Sequence, residues 1–105
     1  KPTAIFSANS LHIMSADSVE NFFKGTGKVL QANGTLVVYG PFKYAGRFTS
    51  ESNEGFDRLL KDRDPASGIR DFEWVSDLAT KANLTLIEDN AMPANNQLLV
   101  WKKPK

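Results

Sequence analysis

Cysteine is absent from this 105-residue chain, and histidine occurs once, at His12. Without thiols there are no disulfides, thiolate nucleophiles or sulfur ligands, and the redox compartment stays open. One histidine and no cysteine leave no transition-metal cluster, and the carboxylates lack the spacing of a calcium loop, so no metal is expected. Long apolar runs are also missing. Nothing approaches the roughly 18 residues that mark a membrane span, and no charged-then-apolar leader opens the chain, so no membrane partner is expected and the cytoplasm is the default location. Charge of one sign is lacking too: 13 basic and 12 acidic residues leave a net charge of +1. Such a balance makes no field able to recruit a polyanion, and nucleic acid is not an expected partner. Neither a Gly-x-Ser-x-Gly elbow nor a Walker loop occurs, and no glycine-rich cofactor loop precedes the first strand-like run.

What is present fits one domain, residues 1–105, able to bury an ordinary core. The composition, 41% hydrophobic and 24% charged, is that of a globular protein. Four runs read as strands: Thr3–Ala8, Thr35–Tyr39, Leu84–Asp89 and Gln97–Lys102. Between the first two, Asp17 is the expected N-cap with Glu20 at the capping-box position. Val19, Phe22, Phe23, Val29 and Leu30 follow at helical spacing, with Gly25 and Gly27 interrupting. Asn33-Gly34 supplies the left-handed positions to end that helix. Leu36-Val-Val-Tyr39 is apolar without alternation, the pattern of a strand covered on both faces.

A long polar stretch, residues 42–70, holds one helix candidate with Phe56, Leu59 and Leu60 on one side. A connection of that length is usually functional or mobile. The last helix is expected at about Asp71–Asn83, with Phe72, Val75, Leu78, Ala79 and Ala82 inward. The final two strands are joined by only Asn90–Asn96, too short for a parallel crossover, so they should be antiparallel. Order and pattern give an α/β fold with about three helices.

That order, closing on an antiparallel hairpin, resembles the second half of the class I S-adenosylmethionine-dependent methyltransferase fold. The runs Tyr39-Gly-Pro-Phe-Lys-Tyr-Ala-Gly-Arg-Phe-Thr-Ser-Glu-Ser-Asn53, Asp64-Pro-Ala-Ser-Gly-Ile-Arg-Asp-Phe-Glu-Trp-Val75 and Asp89-Asn-Ala-Met-Pro-Ala-Asn-Asn-Gln97 resemble the methyltransferase-like protein twenty-six family across nearly the whole chain. The resemblance implies a truncated Rossmann-like sheet: of the fold's strand order 3-2-1-4-5-7-6, this chain would supply 4-5-7-6, the last strand antiparallel. It further implies that full-length relatives use S-adenosylmethionine to methylate a small acceptor. This chain, lacking a counterpart of the cofactor-binding half, would bind no cofactor and be inactive alone. The alternative is a self-associating or partner-binding module without catalysis.

Candidate site residues follow from the ends of the strands, where ligands of such sheets sit. Asn9, Ser10 and His12 come after the first strand, and the resemblance sets this position against cofactor and acceptor. The imidazole either takes a proton from a nucleophile or is satisfied within its loop. Tyr39, Phe42, Lys43, Tyr44 and Arg47 follow the second strand. They either wall a substrate pocket, with the cations holding an anionic group, or cap the sheet. Residues 42–70 would then be a substrate-side insertion. Arg58, Lys61, Arg63 and Arg70 alternate with Asp57, Asp62, Asp64 and Asp71, as on a solvated surface, although Arg70-Asp71 can instead pin the insertion. The polar turn containing Asn90, Met92, Asn95 and Asn96 can reach over the mouth of the site.

In that sheet the Thr3–Ala8 strand would have one unpaired side. An apolar open edge pairs with another chain, so a homo-oligomer is expected through Thr3–Ala8, in its symmetric form one continuous eight-stranded sheet.

Overall fold

A computed structural model describes residues 2–105. Strand β1 (Ala4–Ala8) leads through a short 3₁₀ turn (Leu11–Ile13) into helix α1 (Ala16–Val29) and strand β2 (Thr35–Gly40). Then come β3 (Phe42–Tyr44), β4 (Arg47–Phe48), helix α2 (Glu51–Arg63), β5 (Arg70–Asp71), helix α3 (Phe72–Lys81), β6 (Thr85–Met92) and β7 (Asn96–Lys102). The main sheet has the order β1-β2-β7-β6, with β1 and β2 parallel and β7 antiparallel to both its neighbours. This is the expected 4-5-7-6 arrangement.

Register shows which side of the sheet is covered. Ile5, Leu36, Trp101 and Leu86 align across the four strands, as do Ser7, Val38, Leu99 and Asp89. Leu36, Val38, Leu99 and Trp101 pack with Val19 and Phe23 of α1 and Val75 and Ala79 of α3 in one core. Both helices therefore lie on the same face. On the opposite face, Phe6 is 66% exposed and Val37, Tyr39 and Leu98 are only half-buried. This corrects the expectation of a doubly covered β2: its run is apolar throughout, yet burial alternates because no described helix covers the second face.

Local chemistry explains the ends of α1. Its N-cap is Ser15, not Asp17: the Ser15 hydroxyl accepts from the Ser18 N–H at 3.2 Å, and Asp17 sits inside the first turn, where a carboxylate favours the helix dipole. The buried face is Val19, Phe23, Thr26 and Leu30, while Val29 points outward, 49% exposed. Neither glycine breaks the helix. At Gly27 a Cβ would come within 2.6 Å of the Ala82 carbonyl, so glycine lets α1 approach the end of α3. The Lys103 ammonium donates to the Gly27 and Leu30 carbonyls at 2.7 and 2.9 Å and caps the C-terminal end. Of the Asn33-Gly34 pair, Asn33 carries the left-handed conformation, and Asn83 does the same before β6.

The polar stretch contains more order than its sequence suggests. Ala45 and Gly46, both at positive φ, turn β3 back onto β4, and β5 pairs parallel with β3 to make a small second sheet. The buried side of α2 also differs from expectation. Asn53, Asp57 and Leu60 are buried, whereas Phe56 and Leu59 are 38% and 50% exposed. The reason is polar: Asn53 and Asp57 satisfy backbone groups of adjoining segments, and those bonds fix the roll of the helix.

Candidate functional site

The carboxyl ends of β1 and β2 open on a cavity of about 440 Å³, lined by Asn9, His12, Pro41, Ser52, Asn53, Phe56, Ala94 and Asn96. The chain is built to turn there. The Asn9 N–H donates to the Tyr39 carbonyl at 2.8 Å, ending the β1–β2 ladder, and Asn9 then takes a φ of 54° that swings the backbone out of the strand. The 3₁₀ turn follows, and His12 is carried into the cleft, 6% exposed. Its ring meets the Phe56 ring edge-on at a centroid distance of 5.5 Å.

The far wall is held by two asparagines. Asn53 Nδ2 donates to Thr49 Oγ1 at 3.1 Å and to the Asn95 carbonyl at 3.0 Å, tying α2 to the turn between β6 and β7. Asn96 Nδ2 donates to the Tyr39 hydroxyl at 3.1 Å, tying that turn to β2. The turn contains two consecutive non-glycine residues in the left-handed region, Ala94 (φ 64°) and Asn95 (φ 61°). Each such residue costs on the order of 1 kcal/mol and persists where its surroundings fix it, often beside functional clefts.

Burial lowers the pKa of His12 from its ordinary 6.5, and the Arg70 guanidinium lowers it further. Both effects favour the neutral imidazole over its protonated form. Linkage sets the sign of its effect on stability. The unfolded chain takes up a proton near pH 6.5 and the folded one only at lower pH, so stability falls as pH drops from about 6.5 towards the folded value. His12→Gln is expected to flatten that slope in urea denaturation measured from pH 7.5 to 5. An unchanged slope would show that another group is responsible.

Of the residues singled out in the sequence, Asn9 and His12 meet on this cavity, and Tyr39 reaches it through Asn96. Ser10 donates from its hydroxyl to the Ala8 carbonyl at 3.1 Å. Phe42 is 1% exposed and part of the core. Lys43 pairs with Asp71 at 3.8 Å and lies over the Phe48 ring. The Tyr44 hydroxyl donates to Asp89 Oδ2 at 2.9 Å, and its ring stacks on Phe72; burial and that carboxylate raise its pKa. Arg47 lies in a separate depression with Glu51 and Glu54. The cleft thus gathers Asn53, Phe56 and Asn96 around His12 and places Phe42, Lys43, Tyr44 and Arg47 outside its lining. Sequence reading pointed to Asn96 but missed Asn53, because a lone asparagine in the first turn of a helix carries no periodic signal.

The lining is uncharged. A zwitterionic methionine end and a ribose diol, the parts of S-adenosylmethionine that need polar anchoring, find neither a carboxylate nor a cation there, so these residues alone do not fit that cofactor. Among the described residues, no group of three or more His, Asp or Glu side chains is placed to share a metal ion. Among the same residues, no helix is long and apolar enough to cross a membrane.

The fold has counterparts among solved structures: the chain matches the carboxyl-terminal part of the fold of O-methyltransferases. An O-methyltransferase family 2 protein from Planctomyces limnophilus, solved in complex with apigenin, superposes with a TM-score of 0.87 at 14% identity, over 96% of this chain and 30% of that one. An O-methyltransferase family protein from Burkholderia thailandensis gives 0.84 at 13% identity, over 98% and 30%. Human N-acetylserotonin methyltransferase in complex with SAM gives 0.81 at 12%, over 98% and 30%. The chain spans about 30% of the length of these solved relatives. Residues 1–103 match the family described as "Protein of unknown function (DUF938)", and the chain belongs to that family.

Proposed function

We propose that this chain is the acceptor-side half of an S-adenosylmethionine-dependent methyltransferase, of the methyltransferase-like protein twenty-six kind, and that it does not methylate alone. The observation that carries the reading is the buried His12 lining a cavity at the carboxyl ends of β1 and β2. In this role His12 takes the proton of an acceptor hydroxyl, Phe56 offers a ring face, and Asn53 and Asn96 orient polar substituents. The region 42–70 supplies the acceptor wall through α2. An uncharged, ring-bearing hydroxyl compound suits a lining without charge, and the apigenin complex of the Planctomyces limnophilus protein supports that choice. Contacts to the methyl donor come from polypeptide other than these 105 residues.

The test is a pair of titrations on the 105-residue chain. Calorimetry with S-adenosylmethionine and S-adenosylhomocysteine is expected to show no one-to-one binding. NMR with apigenin as probe is expected to shift the resonances of Asn9, His12, Asn53 and Phe56. Stoichiometric cofactor binding overturns the half-site reading; silence at His12 with millimolar apigenin overturns the acceptor reading.

A second reading, self-association, is favoured by a separate observation: β1 is an edge strand carrying no charged residue, and Phe6 beside that edge is 66% exposed. Two copies joined along β1 would make a continuous eight-stranded sheet. Sedimentation equilibrium at high micromolar concentration is expected to give a dimer, and Phe6→Lys a monomer. A strict monomer for the unmutated chain rules this reading out.

A further inference from the structure

Three carbonyls of the His12 turn, those of Leu11, His12 and Met14, are bound by one short segment. Arg70 Nε donates to the Leu11 carbonyl at 3.3 Å, the Gly68 N–H donates to the His12 carbonyl at 2.9 Å, and Arg70 Nη2 donates to the Met14 carbonyl. The same Nη2 also donates to the Ala66 carbonyl at 2.8 Å, so one guanidinium links the turn to its own connection. The segment is held from behind. Buried Asp57 on α2 accepts the Ile69 N–H through Oδ1 at 2.8 Å and pairs with Lys61 through Oδ2 at 2.8 Å. Gly68 has a φ of 152°, and a Cβ there would lie 3.1 Å from Asp57 Oδ1, so only glycine lets the segment pass between α2 and the turn. The Trp74 ring lies 5.9 Å from the Arg70 guanidinium carbon and fixes its plane.

We propose that Arg70 is a positioning residue for His12: its planar fork binds the carbonyls on either side of the histidine and holds the imidazole in the cleft beside Phe56. This rests on the reading of His12 as the proton acceptor. A single forked cation suits the task because carbonyls on both sides of the histidine must be reached in a fixed plane. A lysine ammonium is a point donor on a flexible stem and cannot reproduce that geometry. The guanidinium has a second effect through its charge. Arg70 from β5 is the charged group bonded to this turn, and Asp57 of α2 with its partner Lys61 holds the segment behind it; Phe56 and Gly40 beside the ring, and the asparagines of the cleft, are uncharged. Arg70 opposes protonation of the ring while locking its backbone.

Two variants separate the two effects, followed by the His12 ring-proton titration and by amide exchange in the unliganded chain. Arg70→Met removes both charge and fork. The His12 midpoint is expected to move upward, and exchange at Gly68 and Ile13 to accelerate about tenfold, the equivalent of one hydrogen bond of roughly 1.4 kcal/mol. Arg70→Lys keeps the charge, so the midpoint stays low while exchange at those two amides still accelerates. Core amides at Val38 and Leu99 are expected to keep their protection in both. If Arg70→Met does not fold, Arg70→Lys decides alone. Gly68 and Ile13 as protected in Arg70→Lys as in the wild type, or a uniform acceleration including the core, overturns the proposal. Neither readout involves cofactor or acceptor, so a failure here is distinct from a failure of the methyltransferase reading.

Discussion

Trp101→Ala is expected to cost about 3–5 kcal/mol, the usual loss for emptying a large buried aromatic site. Trp101 is 1% exposed, aligned between Leu36 and Leu86 across three strands, and meets the Phe23 ring edge-on at 5.6 Å. It joins the sheet to α1, and neighbouring strands cannot close the gap without breaking register. Domains of this size hold only about 5–15 kcal/mol in total, so the variant should lie near the limit of folding. Each lost kcal/mol lowers the melting temperature by about 4–8 °C in a domain of roughly 100 residues. Urea midpoints with an unchanged m-value are the measurement. A loss below about 1 kcal/mol would mean that the β7 face is not the centre of the core.

The same residue shows why the main sheet was legible in sequence. Strand runs such as Leu36–Tyr39 and Leu98–Trp101 are long enough to carry an apolar signal, and the short link before Asn96 leaves only an antiparallel pairing. The left-handed asparagines at 33 and 83 mark the turns that lead into β2 and β6. What was not legible lies between residues 42 and 71. Strands of two or three residues have no period to detect, and the β3–β4 turn depends on Ala45 adopting a conformation that its side chain does not advertise. In α2, the pattern Phe56, Leu59, Leu60 suggests an apolar face, yet burial follows hydrogen bonds from Asn53 and Asp57 to distant backbone. Long-range polar bonds of this type leave no local trace.

The cleft was half legible for a related reason. Its position follows from strand direction, which places Asn9 and His12 at the carboxyl end of β1. Its walls do not follow, because β3 sends Phe42 into the core and ties Lys43 to Asp71 and Tyr44 to Asp89. Lys43 and Arg47, plausible anion holders from sequence, are separated by the β3–β4 hairpin and engaged with Asp71 and Phe48 in one case and placed near Glu51 in the other. The charge-free lining then restricts what the cleft can take far more than any single residue does.

Asp57→Ala is expected to cost about 2–3 kcal/mol and to loosen the cleft from behind. Alternating charge in residues 57–71 reads as a solvated surface, but Asp57 is only 4% exposed and is the acceptor for the N–H of Ile69, itself 3% exposed. Removing the carboxylate orphans that buried N–H, a penalty of roughly 1–3 kcal/mol, and also removes a charge-assisted bond. The ion pair adds little to the loss, since Lys61 is half-exposed and rehydrates when freed. Asp57→Asn keeps an oxygen for Ile69 and is expected to recover most of the stability, which separates the hydrogen bond from the charge. The consequence reaches the site because Ile69 lies between Gly68 and Arg70, the two residues that bind the His12 turn. In Asp57→Ala the Gly68 amide should exchange faster by more than the global loss of stability explains, with Asp57→Asn near the wild type. If Asp57→Asn is as damaged as Asp57→Ala, the carboxylate acts through its charge on Lys61 and Arg70 instead. That outcome would make α2 an electrostatic rather than a hydrogen-bonded support for the histidine.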